Sequence, residues 1–344
     1  MKDQDSTKRL RLVFAGNIMQ HISQITSAEV DNGYDYTSCF RYIKSQIEYA
    51  DIVVGTFETT LAGPPYTGYP RFGCPDDFLR DCKTAGFNVM LTASNHTCDR
   101  GKRGVVRTIK MMDSLKIGHL GSYVDIASRN ETYPYILEKN GFRLVFLNYT
   151  YGTNNISVKA PNVVNLIDIV QIEKDIEIAQ SNNPDCIIAF MHWGEEYNLM
   201  PNCEQKELAG WLFEKGVTHV IGSHPHVVQP MEIRTDQIGD KHVLVYSLGN
   251  FISNQSLPNT YGGMLVHLEL EKNNTSKLKD CHYSLFFVTR PEMSGHKTHR
   301  VYNINTPESI LNSAEIELRN SFLNTARPLF AKYNKNVSEN YIET

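Results

Sequence analysis

The sequence predicts a layered α/β fold. Two observations carry this. Short apolar runs alternate with segments of helical periodicity through the first third of the chain, and polar residues able to bind a ligand fall directly after apolar runs. Residues 10–15 alternate and then run apolar, which predicts a strand ending at Gly16-Asn17. Phe40, Ile43, Ile47 and Ala50 recur at helical spacing, and Ile52-Val53-Val54 follows as a buried strand ending near Thr56-Phe57-Glu58. A Pro/Gly-rich loop over 63–75 leads into a helix over 76–85. Residues 87–91 form the next strand, running into Thr92-Ala93-Ser94-Asn95-His96. Residues 104–115 form a helix with Val105, Ile109 and Met112 on one face.

The second half continues the alternation. Residues 133–137 and 142–149 flank Lys139-Asn140-Gly141, the signature of a two-strand hairpin. Residues 167–179 are helical, and 186–191 form a strand that stops at His192-Trp193-Gly194. A helix over 204–215, rich in good formers, precedes the apolar run 217–221, which Gly222-Ser223 breaks into a loop. Residues 242–247 form a strand ending at Leu248-Gly249-Asn250-Phe251, while 264–270 and 283–289 alternate like antiparallel strands. Beyond Pro307 the apolar residues Ile310, Leu311, Ile316, Leu318 and Phe322 predict one amphipathic helix that packs on the rest. The division expected is a polar segment 1–8 outside the fold, one α/β domain over 9–291, and a helical appendage over 292–344.

Composition narrows the function classes. The chain has 344 residues, a hydrophobic share of 41% and a charged share of 21%, ordinary values for a soluble globular protein. A formal net charge of -4 supplies no global field for nucleic acid. No window has the apolar length to span a bilayer, and the polar start at 1–9 predicts no signal peptide. Seven cysteines, without a CxxC pair, indicate neither a disulfide framework nor a zinc knuckle.

The chemistry concentrates at His224-Pro225-His226. In an extended segment residues two apart project to one side, so both imidazoles are expected to face one point, as a divalent transition metal requires. Asn17, Glu58, Asn95, His96 and His192 likewise follow apolar strands directly. Other histidines look bland: His119, His219, His242 and His267 lie inside strand-like runs, and His282, His296 and His299 fall in polar segments and are expected to be solvated. Glu58 would bridge two cations, Asn95 would add an amide oxygen, His192 and His224 would serve one ion and His226 the other. Two metals roughly 3.5–4 Å apart activate a water and clamp the oxygens of a phosphoester. His96 suits a proton donor or transition-state stabiliser, and Asp99 is expected to fix its tautomer or to cap the following helix, two compatible roles. Arg100, Lys102 and Arg103 either hold an anion at that helix N-terminus or form a solvated charge cluster. Trp193 and Tyr197 are expected to wall the cleft, with Glu196 supporting the ligands. Ser94, Ser223 and Ser247 sit in no GxSxG elbow, and there is no P-loop or GxGxxG.

These residues fall in ordered motifs: Gly16-Asn17-Ile18-Met19, Thr56-Phe57-Glu58, Ala93-Ser94-Asn95-His96-Thr97-Cys98-Asp99-Arg100-Gly101, the stretch 192–197, the stretch 222–229 and the stretch 246–251. Over about residues 10–291 the chain resembles the CapA/PgsA-type poly-γ-glutamate capsule biosynthesis proteins, a branch of the calcineurin-like metallophosphoesterases. The resemblance implies a four-layer αββα sandwich with a metal cleft, and a dinuclear centre of Mn, Fe, Zn or Mg. It also implies an anionic polymer or phosphoester substrate, membrane proteins of capsule synthesis as partners, and a cell-envelope location. Asn250 would support the ligands. Asn17 stands where the family has Asp, Thr56 where it has Asn, and Ser94 where it has the first Asn of a pair. Hard cations favour carboxylate oxygen, so the ion nearest Asn17 should bind more weakly. His21 either compensates as a ligand or is a plain loop histidine, and Thr56 is expected to alter only loop hydrogen bonding. Three functions follow: a metal-dependent phosphoesterase-like hydrolase, an impaired protein that only binds anionic polymer, or an amide hydrolase of poly-γ-glutamate.

Overall fold

Along β1 (Lys8–Ile18) successive side chains point to opposite faces, and both faces are buried over most of its length. Leu10, Leu12 and Phe14 enter one apolar cluster, while Val13 and Ala15 enter another. That is the signature of a strand inside a sheet covered on both sides. The computed structural model describes residues 7–342. After β1 come α1 (Ile22–Ala28), β2 (Ile52–Phe57), α2 (Asp76–Ala85), β3 (Val89–Leu91), α3 (Gly101–Ser114) and β4 (Gly118–Leu120). The middle of the chain supplies α4 (Ile126–Thr132), β5 (Tyr135–Lys139), β6 (Phe142–Thr150), α5 (Ile169–Ser181) and β7 (Cys186–His192). Next are α6 (Cys203–Glu214), β8 (His219–Ser223), β9 (Met231–Thr235) and β10 (Lys241–Val245). The last part contains β11 (Asn250–Ile252), β12 (Gly262–Lys272), β13 (Ser276–Thr289), α7 (Pro291–Ser294), β14 (Arg300–Asn303) and α8 (Ser313–Tyr333).

Two sheets result. The first runs β14-β13-β12-β1-β2-β3-β4, with β11 joined in parallel to the end of β1. Its β1-to-β4 half is parallel and its β12-to-β14 half antiparallel. The second runs β9-β10-β8-β7-β6-β5, parallel in its centre and antiparallel at both edges. Phe14, Val54 and Leu91 of the first sheet share a core with Phe190 and Ile221 of the second, and this core continues to Ile172, Ile176, Ala209 and Leu212 of α5 and α6. Phe14 and Phe190 meet edge to face, with ring centroids 5.6 Å apart. The far face of the first sheet packs on Phe78, Leu79 and Cys82 of α2 and on Phe40, Ile43 and Ile47. The order helix, sheet, sheet, helix is the four-layer αββα sandwich.

Local expectations fare unevenly. Asn140 and Gly141 take φ of 49° and 80°, the left-handed pair that a tight hairpin turn requires. The helix expected across 40–50 is instead two 3-10 turns, Thr37–Phe40 and Lys44–Gln46. A spacing of three between apolar residues suits that geometry as well as an α-helix. At the N-terminus the strand starts inside the segment set aside as 1–8, at Lys8. Residues 1–6 of that segment lie outside the described residues. The helical appendage over 292–344 needs correction. Within it β14 pairs with β13, Val288 opposite Val301, and α8 sends Phe322, Ala326 and Phe330 into the shared core. Phe322 packs directly on Gly262, where an added Cβ would meet its ring at 2.8 Å. Among the described residues no helix is long and apolar enough to cross a membrane.

Candidate metal centre

Parallel pairing brings the carboxyl ends of the central strands to one level, and the two sheets share that rim. Asn17 is the penultimate residue of β1, Glu58 follows β2, Asn95 and His96 lie in the turn after β3, and His192 ends β7. His224 and His226 follow β8, and Asn250 opens β11; all of these side chains are buried. The sheets are tied together here. The Thr56 hydroxyl lies 3.3 Å from Ser223 Oγ, which in turn lies 3.1 Å from His192 Nδ1. Thr56 therefore spans the sheets from within β2 and is not a loop residue. Ser94 serves its own turn: its Oγ accepts from His96 N–H at 3.3 Å.

The His-Pro-His segment is not extended. His224 and His226 have φ of 98° and 61°, so a left-handed turn, rather than the pleat of a strand, directs both imidazoles inward. Just before the turn, Gly222 lets the chain at Tyr246 approach closely, because a Cβ there would meet Tyr246 O at 2.0 Å. The same crowding places Trp193 behind the site. Its indole N–H donates to Tyr246 O at 2.9 Å and its ring is buried in the core, so it does not wall the cleft.

Glu58 is 0% exposed, and neither carboxyl oxygen has a hydrogen-bond partner. Burial pushes its carboxyl above the usual range, with His226 and His96 pulling it back. One ligand atom from each of Glu58, His224 and His226 falls within 4.8 Å of the others. His192 Nε2 is 3.7 Å and His226 Nε2 3.9 Å from Glu58 Oε1. His192 Nε2 also lies 2.9 Å from Asn95 Oδ1, whose amide nitrogen donates to Asn154 Oδ1 at 3.2 Å. Burial and the neighbouring imidazoles hold His192 well below the ordinary value and push His224 down to about 3, so both offer lone pairs at neutral pH. His224 Nδ1 is a second buried atom without a partner. A buried carboxylate with no donor, facing the neutral imidazoles of His192 and His224, is compatible with a divalent cation and is unfavourable without one.

Asn17 is used differently from the expectation of a ligand. Its Oδ1 accepts from His224 N–H at 3.4 Å, and its Nδ2 lies 3.0 Å from His226 Nδ1 and 3.4 Å from Asn250 Oδ1. Asn250 Oδ1 also faces His226 Nδ1, at 3.0 Å. His21 caps α1, its Nδ1 facing Gln24 Oε1 at 3.2 Å and accepting from Asn254 N–H at 3.2 Å; burial lowers it to about 4. It lines the cleft but stands outside the Glu58–His224–His226 group. His299, expected to be solvated, is buried with Nε2 2.8 Å from Asn254 Oδ1.

Above the cluster opens a cleft of about 750 Å³, with His96, Glu196, Tyr197 and His226 in its lining. Asp99 Oδ2 lies 2.7 Å from His96 Nδ1 and accepts Phe72 N–H at 2.7 Å. The cap position of α3 falls to Arg100, without a side-chain bond, so Asp99 acts on His96 and not on the helix. Burial alone would lower His96, but the Asp99 hydrogen bond and the Glu58 charge outweigh it and raise its pKa. Tyr197, 42% exposed, lies over His226 with ring centroids 5.9 Å apart. Arg100, Lys102 and Arg103 are not in the cleft. Arg100 donates to Pro65 O and Thr67 Oγ1, both at 2.9 Å, bracing the 63–75 loop, and the other two are exposed on α3. The cation that does line the cleft is Arg71, at the tip of that loop. It has no motif to mark it. Tyr151, tilted over His224 at 4.6 Å, was also missed, although it follows the end of β6 by the same strand-end rule.

The site is thus a buried Glu-His-His cluster at the carboxyl rim of a two-sheet αββα sandwich. A putative 5′-nucleotidase from Staphylococcus aureus shares the fold, with a TM-score of 0.51 at 11% identity over 92% of this chain and 58% of that one. The chain belongs to the bacterial capsule synthesis protein family PGA_cap, whose model matches residues 11–255. It is 28% identical over 288 residues to the capsule biosynthesis protein CapA of Bacillus anthracis, covering 79% of this chain and 66% of that protein. It is 26% identical over 281 residues to the PGA biosynthesis protein CapA of Bacillus subtilis, covering 77% and 69%. The chain thus matches about two thirds of the length of these relatives.

Proposed function

We propose that this chain is a metal-dependent hydrolase of phosphoesterase type that acts on an anionic substrate in capsule synthesis. The observation that carries it is Glu58, a fully buried carboxylate with no hydrogen-bond donor, facing His192, His224 and His226. Glu58, Asn95, His192, His224 and His226 would hold divalent cation, and such an ion supplies a water acidic enough to attack at neutral pH. The remaining roles belong to the chain. Asp99 fixes Nδ1 of His96 and leaves Nε2 as the nitrogen available for proton transfer to a leaving oxygen. Arg71 offers its guanidinium to the anionic group, with Tyr197 beside it as a wall. The capsule role is carried over from relatives named for it, and membrane proteins of capsule synthesis are the partners it calls for.

The test is metal analysis together with hydrolysis of bis(p-nitrophenyl) phosphate by wild type and His224→Ala, with poly-γ-glutamate run in parallel to separate amide from phosphoester cleavage. Wild type should bind divalent metal and turn over. His224→Ala should lose more than the roughly 10–100-fold typical of a lost outer partner. Absence of metal and of any difference between the two overturns the reading. A polymer-binding protein without turnover is the second reading, favoured by the amide oxygen of Asn17, which is spent on His224 N–H. Turnover only after Asn17→Asp would establish it; equal turnover in both would end it.

A further inference from the structure

His226 is faced by polar atoms at both ring nitrogens. On the Nδ1 side stand Asn250 Oδ1 and Asn17 Nδ2, each at 3.0 Å. On the Nε2 side stand Glu196 Oε1 at 3.7 Å and Glu58 Oε1 at 3.9 Å. With the ring proton on Nδ1, donated to Asn250 Oδ1, the Nε2 lone pair turns toward the two carboxylates, and Asn17 Nδ2, itself a donor, makes no hydrogen bond to the ring. Asn17 then lies behind the ring, away from any ion that Nε2 would bind.

The spacing on the Nε2 side suits an ion. Distances of 3.7 and 3.9 Å are too long for hydrogen bonds. Two donors each about 2.1 Å from one ion stand about 3.4 Å apart at a tetrahedral angle and about 3 Å apart at a right angle, so the ion would draw the side chains in by about 0.3–0.9 Å. An independent feature points the same way: both Glu58 oxygens are buried without a hydrogen-bond partner, and one of them, Oε1, faces His192 Nε2 at 3.7 Å as well as His226 Nε2 at 3.9 Å.

Glu196 is delivered to this place by backbone geometry. The loop leaving β7 turns at Gly194, φ 85°, and Tyr197 is held at φ 65° while its N–H donates to Pro225 O at 2.8 Å. That bond ties the Glu196 loop to the His-Pro-His turn. Glu196 is on the cleft lining, beside the Glu58–His224–His226 group and not within it, and its side chain is 41% exposed, in contrast to the enclosed Glu58.

We propose that Glu196 is a ligand of a second divalent cation, held by Glu58, His226 and Glu196 at the floor of the cleft. The inner cation is held by Glu58, Asn95, His192 and His224. This deepens the metal-centre reading above and rests on it. Glu196 thereby supplies, from the opposite side of the ring, the carboxylate that Asn17 does not.

The test counts ions without using activity. Mn²⁺ is titrated into metal-stripped wild type, Glu196→Gln, and Glu195→Gln as a control for loss of one exposed charge next door; binding is followed by calorimetry and by electron paramagnetic resonance. Wild type and Glu195→Gln should each bind two Mn²⁺ and show a spin-coupled spectrum, Glu58 bridging the pair. Glu196→Gln should keep the tighter ion, weaken the other at least 10-fold and lose the coupled signal, with its circular dichroism unchanged. Equal stoichiometry and affinity in wild type and Glu196→Gln overturns the proposal, as does a single ion in both, while leaving the metal centre standing. No Mn²⁺ bound by any variant overturns the metal centre itself, and this proposal with it.

Discussion

At the scale of single residues, what a side chain does here is decided by the atom at its far end. Asp99 shows this: its carboxylate meets His96 Nδ1 and Phe72 N–H. Both donors meet the same oxygen, Oδ2, so Asp99→Asn can keep that acceptor but removes the negative charge that holds the His96 proton. We expect kcat on a phosphodiester to fall about 10–100-fold with KM little changed, read by steady-state kinetics. Arg71 and Arg100 make a second, paired prediction. Arg71→Ala should raise KM for an anionic substrate about 10-fold or more, the worth of a charge-assisted hydrogen bond. Arg100→Ala should leave KM alone and instead loosen the 63–75 loop, measurable as faster hydrogen exchange there, since its guanidinium is spent on Pro65 and Thr67. The ligand-type residues were legible because strand ends are marked by apolar runs that stop. Arg71 was not legible, because a loop tip reaches a cleft through tertiary folding that leaves no local pattern.

Elements repeat the lesson with different physics. The hairpin at Asn140-Gly141 was legible because a two-residue turn has a strict requirement for left-handed backbone, which those residues meet. The inward direction of His224 and His226 was also expected, but the means was not: alternation in a strand was assumed where a left-handed turn does the work. β14 escaped notice because it is only four residues long, with Val301 going to the outer core and Tyr302 to the inner one. The periodicity of α8 was readable, but the place it docks was not, since that depends on the smooth surface left by Gly262. Phe322→Ala should therefore destabilise the fold by about 3–5 kcal/mol, as for other large aromatic truncations in a core, measured as a shifted urea midpoint with unchanged m-value. Deletion of residues 292–344 should do worse, exposing the edge of β13 and giving aggregated protein in gel filtration.

For the whole molecule, the sandwich depends on keeping polar rings neutral inside it. His219 is buried in the second sheet, its Nδ1 accepting Val243 N–H at 3.0 Å, and burial pushes it down to about 3, with His242 adding to the effect. His267 is buried in the first sheet between Tyr49 and Ser284, each 2.7 Å from a ring nitrogen; burial, then His282, likewise pushes it to about 3. Both lie outside the metal-centre cluster. In the unfolded chain each imidazole takes its proton near the ordinary value of about 6.5. The folded state thus binds fewer protons than the unfolded one between about pH 6.5 and 3. Their contribution is present in full above that window and is lost as the pH falls through it, with a slope approaching about 1.4 kcal/mol per pH unit for each ring. Urea titrations in chelator, which removes metal release as a cause, should show stability falling from pH 7 to pH 4. His267→Gln, less stable at pH 7 because its bonds to Tyr49 and Ser284 are compromised, should nonetheless show a shallower decline over the same range. An unchanged slope in that variant would mean that the ring is not held neutral by the fold.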